Sequence, residues 1–458
     1  MALSEAVIRM TDLDGRSVDR LDGQPFISVF EALTLANDEA NWEEPALKTC
    51  SNFRLFRWTL EAILASVGAV ALLSSTATAQ TSIKVGVLND MSGVYSDIGG
   101  KGSVIAAQLA VEDFAALSKD VIVEVVSADH QNKPDIGASI ARSWYDRDGV
   151  DAILDVPTSS VALAVSQITR EKNRIFIDSG AGSVDLTGSQ CSPNTVHWTY
   201  DTYALANGTG SAMIKRGGDT WFFLTADYAF GQSLQNETAA VVTRNGGKVI
   251  GSTKTPFPAN DFSSFLLQAQ GSGAKVIGLA NAGGDTINAV KQAREFGIVQ
   301  GGQKLAALLF YVLDAKALGL EVAQGLVLTE AFYWDLNDGT RHFSERFAKR
   351  ANGNMPTMNQ AGVYAGLMHY LKGVAATKSK DAKLVMDWMK ANPTDDPLFG
   401  KGMIRADGRK IHDMYLFEVK APSASKGPWD LYNRLATIPA DQAFKPMSQG
   451  GCPLIGKL

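Results

Sequence analysis

"AKVIGLANAGGDTINAVKQAREFG", Ala274 to Gly297, carries an apolar strand into a glycine pair, an aspartate and then an amphipathic helix. A strand that turns directly into a helix is the repeating joint of α/β architecture. Gly283 and Gly284 are adjacent, so the turn lacks G-x-G-x-x-G spacing, and no P-loop Lys and Ser/Thr follow it. A nucleotide cradle is therefore not supported here.

The same joint recurs on both sides of this stretch. From Ser82 onward, "IKVGVL", "VIVEVVSAD", "AILDV" and "RIFIDS" read as strands separated by the helices "IAAQLAVEDFAAL", "IGASIARSWYD" and "SVALAVSQITREK". A turn-rich segment, "GSQCSPNTVHWTYDTYALANGTG", interrupts the series before "TWFFLTA", "GKVIGSTKTP" and "AKVIGLA" restart it. Two mainly parallel sheets in tandem predict two lobes joined near Thr199 to Tyr203. The helices "AGVYAGLMHYLKGVAA" and "AKLVMDWMKA" are expected to return to the first lobe. "GMIRADGRKIHDMYLFEVKAPS" reads as a hairpin turned by "DG" and returning to the second. The expected division is residues 80–202 and 333–400 in lobe 1, with 203–332 and 401–458 in lobe 2.

Charge is concentrated at the front. Residues 1–79 hold 6 basic and 11 acidic side chains of the chain's 43 and 48, leaving 37 of each in the remainder. That balance argues against nucleic-acid binding, which favours a basic excess. "FRLFRW", "AILASVGAVALL" (Ala62 to Leu73) and "SSTATA" ending at Ala79 have the layout of a secretory signal peptide. Residues 1–79 are accordingly expected to be an over-extended start plus a removed signal, with the mature chain exported. Export leaves Cys191 and Cys452, one possible pair in an oxidising compartment, joining the tail to a loop 261 positions earlier.

The candidate chemistry is sparse. Five scattered histidines show no metal-ligand spacing, "DSGAGS" is not a G-x-S-x-G elbow, and no cofactor motif is complete. No catalytic residue, metal or cofactor is therefore expected. What recurs is a small hydroxylated or glycine-rich turn at the end of successive strands: "DMSGVYSD", "PTSS", "SGAG", "TADYAFG" and "NAGGD". Open α/β sheets bind ligands beyond those ends, where helix-opening N–H groups suit a carboxylate.

Residues 81 to about 420, through "DVPTSSVALAV", "LTGSQCSPNTVHWTYDTYALA", "GGDTWFFLTADYAFG" and "PWDLYNRLATIP", resemble the periplasmic solute-binding proteins of the leucine/isoleucine/valine type, receptors of ABC transporters. The resemblance implies two Rossmann-like lobes of periplasmic binding protein type I, a three-crossover hinge, and delivery of a small solute to permease subunits by a monomer without turnover. It implies first-lobe ligand contacts at Tyr95, Ser159, Ser160, Gly180 and Gly182, and Tyr203, with Trp198, lining the cleft beside the first hinge crossing. On the second lobe it implies Tyr228 over the ligand, Asp285 accepting from an ammonium group, and Phe332 as a ring neighbour. A branched-chain or other apolar amino acid is placed ahead of benzoate- or hydroxycinnamate-type acids. A ligand-sensing module is the alternative use of the same lobes.

Overall fold

The structure is a computed structural model and describes residues 80–456, which fall within one compact unit, Thr78–Leu458. The expected extended start and signal peptide lie outside the described residues. Strands β1 (Thr81–Asn89), β2 (Val121–Asp129), β3 (Ala152–Asp155), β4 (Ile175–Asp178) and β5 (Thr195–His197) form a parallel sheet in the order β2-β1-β3-β4-β5. A second parallel sheet is built from β6 (Thr220–Ala226), β7 (Lys248–Thr255), β8 (Val276–Ala280) and β9 (Lys304–Ala307), in the order β7-β6-β8-β9. Every residue of β3, β4 and β8 is buried, as expected of strands covered on both faces.

In both sheets the strand order reverses direction beside the first strand, between β1 and β3 and again between β6 and β8. Such switch points open crevices at the carboxyl ends of the strands. The opening quotation is β8, its turn and the helix Gly284–Glu295, so it supplies one of those crevices.

The remaining chain stitches the lobes together. The helix Asp338–Ala348 returns to lobe 1, where Arg346 forks onto Asp113 at 2.8 and 2.7 Å and Arg350 onto Glu112 at 2.7 and 2.8 Å, both on the helix Gly100–Leu117. The helix Met358–Thr377 is opened by a capping box in which Thr357 and Gln360 serve each other's backbone N–H. Strand β10 (Val327–Glu330) pairs antiparallel with β14 (Met414–Val419), which pairs with β15 (Tyr432–Ile438).

Three sequence expectations need correction. The "DG" turn joins β12 (Gly400–Ile404) to the two-residue β13 (Lys410–Ile411), while "MYLFEV" runs past this hairpin into β14 and takes β10 as its partner. The 400/401 boundary also falls inside a small sheet, because β12 pairs with β11 (Thr394–Asp396) and Gly408 O accepts the His197 N–H at 2.9 Å. Those bonds keep the segment on lobe 1 until Asp413. Finally, the last residues do not stay with lobe 2: a Cys191–Cys452 disulfide, with Cα atoms 5.6 Å apart, fastens the tail to lobe 1. The tail thus adds a fourth passage across the hinge to the three expected.

Candidate ligand-binding cleft

Two buried carboxylates shape the first-lobe wall. Asp90, just after β1, accepts from the N–H groups of Gly93 at 2.7 Å and Tyr95 at 2.9 Å and from the Asn132 amide at 2.6 Å. This folds the glycine loop and points Tyr95 inward. Asp155, at the end of β3, accepts from Asn89, Ser103 and Ser179 and so ties together the turns after β1, β3 and β4. Burial pushes its pKa up to about 6, against the lowering effect of those donors.

The helix Ser159–Glu171 begins in this wall. Thr158, its N-cap, donates its hydroxyl to Asn132 and does not cap its own helix, so the first-turn N–H groups receive no side-chain oxygen from it. Ser160 is half-buried at the second helical position. Ser159 Oγ already accepts from Gly182 N–H at 3.3 Å and Ser183 N–H at 3.2 Å, while Gly180 donates to Asp178 at 3.2 Å. The amides of Gly180 and Gly182, expected to face a carboxylate, are therefore engaged internally. Gly182 contributes space, because a Cβ there would lie 2.9 Å from both Phe230 and Tyr200.

The second lobe closes directly onto this wall. The Tyr95 and Tyr228 hydroxyls hydrogen-bond across the cleft, and Phe257 stacks on Tyr228 with ring centroids 4.2 Å apart. Gly284 N–H donates to Val94 O at 3.2 Å. Gly283 has φ +55°, and a Cβ at this position would stand 2.5 Å from Val94 O. Gly283→Ala is therefore expected to leave the lobes folded but to weaken ligand binding roughly tenfold or more, through strain of about 1–3 kcal/mol in the closed state. Calorimetric affinity, with circular dichroism confirming the fold, checks this; an unchanged affinity refutes it.

Asp285 sits at the start of the helix Gly284–Glu295 and is fully buried. Its Oδ1 accepts the Ala259 N–H at 3.1 Å, whereas Oδ2 has no partner. Burial pushes its pKa up to about 7, partly opposed by the Ala259 bond, and no neighbouring cation among the described residues contributes. The phenols of Tyr95 and Tyr228 are held well above the ordinary range, chiefly by burial and further by the charge of Asp285. The turn that carries Asp285 meets the Tyr95 loop, a Cβ at Gly283 standing 3.1 Å from the Tyr95 ring.

Other sequence candidates lie elsewhere. The Tyr203 ring sits 5.7 Å from the Lys445 ammonium of the tail, and Phe332 packs against Phe343 and Phe399. Trp198 is core, between His369 and Lys410. Conversely, Tyr200, Tyr311 and Phe257 were missed. Tyr200 lies within the quoted "HWTYDTY", and Phe257 follows β7, at a strand end like the turns already singled out.

Two lobes that meet through strand-end turns beyond both switch points, joined by the Tyr95–Tyr228 and Tyr311–Tyr200 contacts, have the architecture of a cleft receptor of the solute-binding class. The chain belongs to the periplasmic binding protein family, whose model matches residues 82–428. It is a periplasmic, non-catalytic solute-binding protein that delivers a small ligand to an ABC permease. It is 52% identical to a periplasmic binding protein from Burkholderia mallei, covering 81% of this chain and 99% of that one with a TM-score of 0.79. A branched-chain amino acid ABC transporter periplasmic ligand-binding protein from Burkholderia xenovorans LB400 is 41% identical, with the same coverages and a TM-score of 0.73. Leu/Ile/Val-binding protein homolog 6 of Brucella melitensis is 27% identical over 363 residues, 77% of this chain and 91% of its own length.

Proposed function

We propose that the cleft captures a small amino acid with an apolar side chain, of the branched-chain type, for delivery to the permease. The observation that carries this reading is the unpartnered, fully buried Oδ2 of Asp285. An α-ammonium group supplies both a donor and the missing positive charge, whereas an anionic acid adds a second negative charge to a site without a cation. The ligand carboxylate is assigned to the uncapped first turn of the helix Ser159–Glu171, near Ser160. Phe230, Phe257 and the faces of the tyrosines suit the apolar remainder. The names of the Burkholderia xenovorans and Brucella relatives agree with this class.

A second reading, a hydroxylated aromatic acid, is favoured by the complete burial of the Asp285 carboxyl. With its pKa near 7, Asp285 accommodates a phenolic O–H while partly protonated. A thermal-shift and calorimetry panel of leucine, isoleucine, valine, phenylalanine, benzoate and 4-hydroxybenzoate separates the two. Tight binding of an aliphatic amino acid with no response to the benzoates is expected; the reverse selection overturns the amino-acid reading.

A further inference from the structure

A second hydrogen-bond chain crosses the cleft beside the Gly180 wall. Tyr311, which follows β9 in lobe 2, places its hydroxyl 3.2 Å from the Tyr200 hydroxyl and 3.3 Å from Asn359 Oδ1, both on lobe-1 segments. The Tyr200 proton is already committed, since its hydroxyl donates to Gly180 O at 2.6 Å. Tyr311 owns one proton, so it serves one of its two neighbours at a time. When that proton points to Asn359, the amide is held by its oxygen and its nitrogen is turned away from Tyr311. Asn359 is 0% exposed on the first turn of the helix Met358–Thr377, and its Nδ2 has no partner. Two amide protons are thus buried and unsatisfied beside the Gly180 wall, a cost of about 1–3 kcal/mol unless an acceptor meets them.

We infer that Asn359 is a ligand-recognition residue whose Nδ2 donates to the carboxylate of the bound solute, with Tyr311 and Tyr200 as positioning residues that fix its orientation. This rests on the carboxylate-bearing ligand proposed above. It also gives the helix Met358–Thr377 a part in selection: a ligand lacking an acceptor at that end leaves the amide unsatisfied. Because Tyr311 belongs to the opposite lobe, the orientation is set when the lobes meet, so recognition by Asn359 is coupled to closure.

The test compares wild type with Asn359→Asp, Asn359→Ser and Tyr311→Phe, using L-leucine and 4-hydroxybenzoate as probes in calorimetry and stopped-flow. Asn359→Asp retains an oxygen for Tyr311 but replaces the donor with an acceptor facing the ligand carboxylate. Its affinity for the probe that wild type binds is expected to fall at least 30-fold. Asn359→Ser, which keeps a shorter donor without the added charge, is expected to lose less than Asn359→Asp, and Tyr311→Phe is expected to raise the dissociation rate about fivefold with the association rate unchanged. Wild-type affinity in Asn359→Asp, with Tyr311→Phe impaired, would show that Asn359 merely props Tyr311 and overturns the assignment. Should Asn359→Asp fail to fold, Asn359→Ser decides: unchanged affinity there overturns it equally. Failure of wild type to bind either probe would instead overturn the carboxylate reading on which the inference rests.

Discussion

Asp285→Asn is expected to lower affinity for an amino-acid ligand by more than 100-fold while leaving the fold intact. Removing one member of a buried ion pair costs about 3–5 kcal/mol, because the remaining charge is left without its partner. Here the remaining charge is the ligand's ammonium group, and no cation or second carboxylate among the described residues acts on Asp285. The asparagine still occupies the volume and can still accept from Ala259, so stability should change little. A hydroxylated aromatic acid would lose far less, since the asparagine oxygen accepts from a phenol nearly as well. Calorimetry with leucine and 4-hydroxybenzoate on both proteins separates these outcomes; equal and negligible losses would remove Asp285 from the site.

The same residue gives a pH dependence whose sign can be fixed. With the lobes closed, burial raises the carboxyl to about 7, so below that pH the closed, ligand-free site holds a proton on Asp285. An ammonium ligand requires the ionised form and must displace that proton. Amino-acid affinity is therefore expected to fall as pH drops through 7, approaching about tenfold per unit, and Asp285→Asn is expected to flatten the profile. A flat wild-type profile between pH 5.5 and 8.5 counts against the pairing. The linkage also explains how ligand favours closure. Above pH 7, bringing the lobes together without ligand buries an uncompensated carboxylate; an ammonium group removes that penalty.

How much of this was legible in the sequence depended on range. The strand-end turns after β1, β3, β4, β6 and β8 could be read because strand, turn and helix are contiguous, and their placement beyond a parallel sheet follows from topology. The turn carrying Asp285 was legible in this way, while the role expected of Asp285 came from the family resemblance. The Tyr95–Tyr228 contact joins residues 133 positions apart, but each member occupies a recognisable turn. Tyr311 and Asn359 do not: one follows a short buried strand and the other opens an almost wholly buried helix, so local pattern marks both as core. Tyr203 and Phe332 failed for the opposite reason. Their proximity to hinge crossings was legible, but the direction of a side chain at a crossing depends on packing partners such as Lys445 and Phe399, which are distant in sequence. The 400/401 boundary failed because the pairing of β12 with β11 and the Gly408 bond to β5 outweigh the apolar pull of "MYLFEV" until the chain has passed Asp413.

Breaking the Cys191–Cys452 bridge is expected to lower unfolding free energy by roughly 2–5 kcal/mol, the usual range for loss of a native disulfide. The enclosed loop is long, since the cysteines are 261 positions apart, and the bridge fastens the tail beyond its contacts at residues 440–445. After β15, Phe444 lies under the Arg409 guanidinium at 4.4 Å, Lys445 O accepts from Arg405 at 2.8 Å, and the Lys445 ammonium pairs with Glu237 of lobe 2. These contacts straddle the hinge, and the disulfide holds their far end. Cys191→Ser, Cys452→Ser and the double variant should each lose about the same stability, because all three remove one shared bond. Additive losses would instead point to separate packing effects at the two thiols. Denaturant unfolding of the three variants, and of the wild type with and without reductant, measures this directly. Because the bridge fastens the tail to the loop at Cys191 and not the strand-end turns that carry Asp285, Tyr95 and Tyr228, ligand affinity in the folded variants should change less than threefold. A wild type whose stability is indifferent to reductant would show that the tail is held by its polar contacts alone.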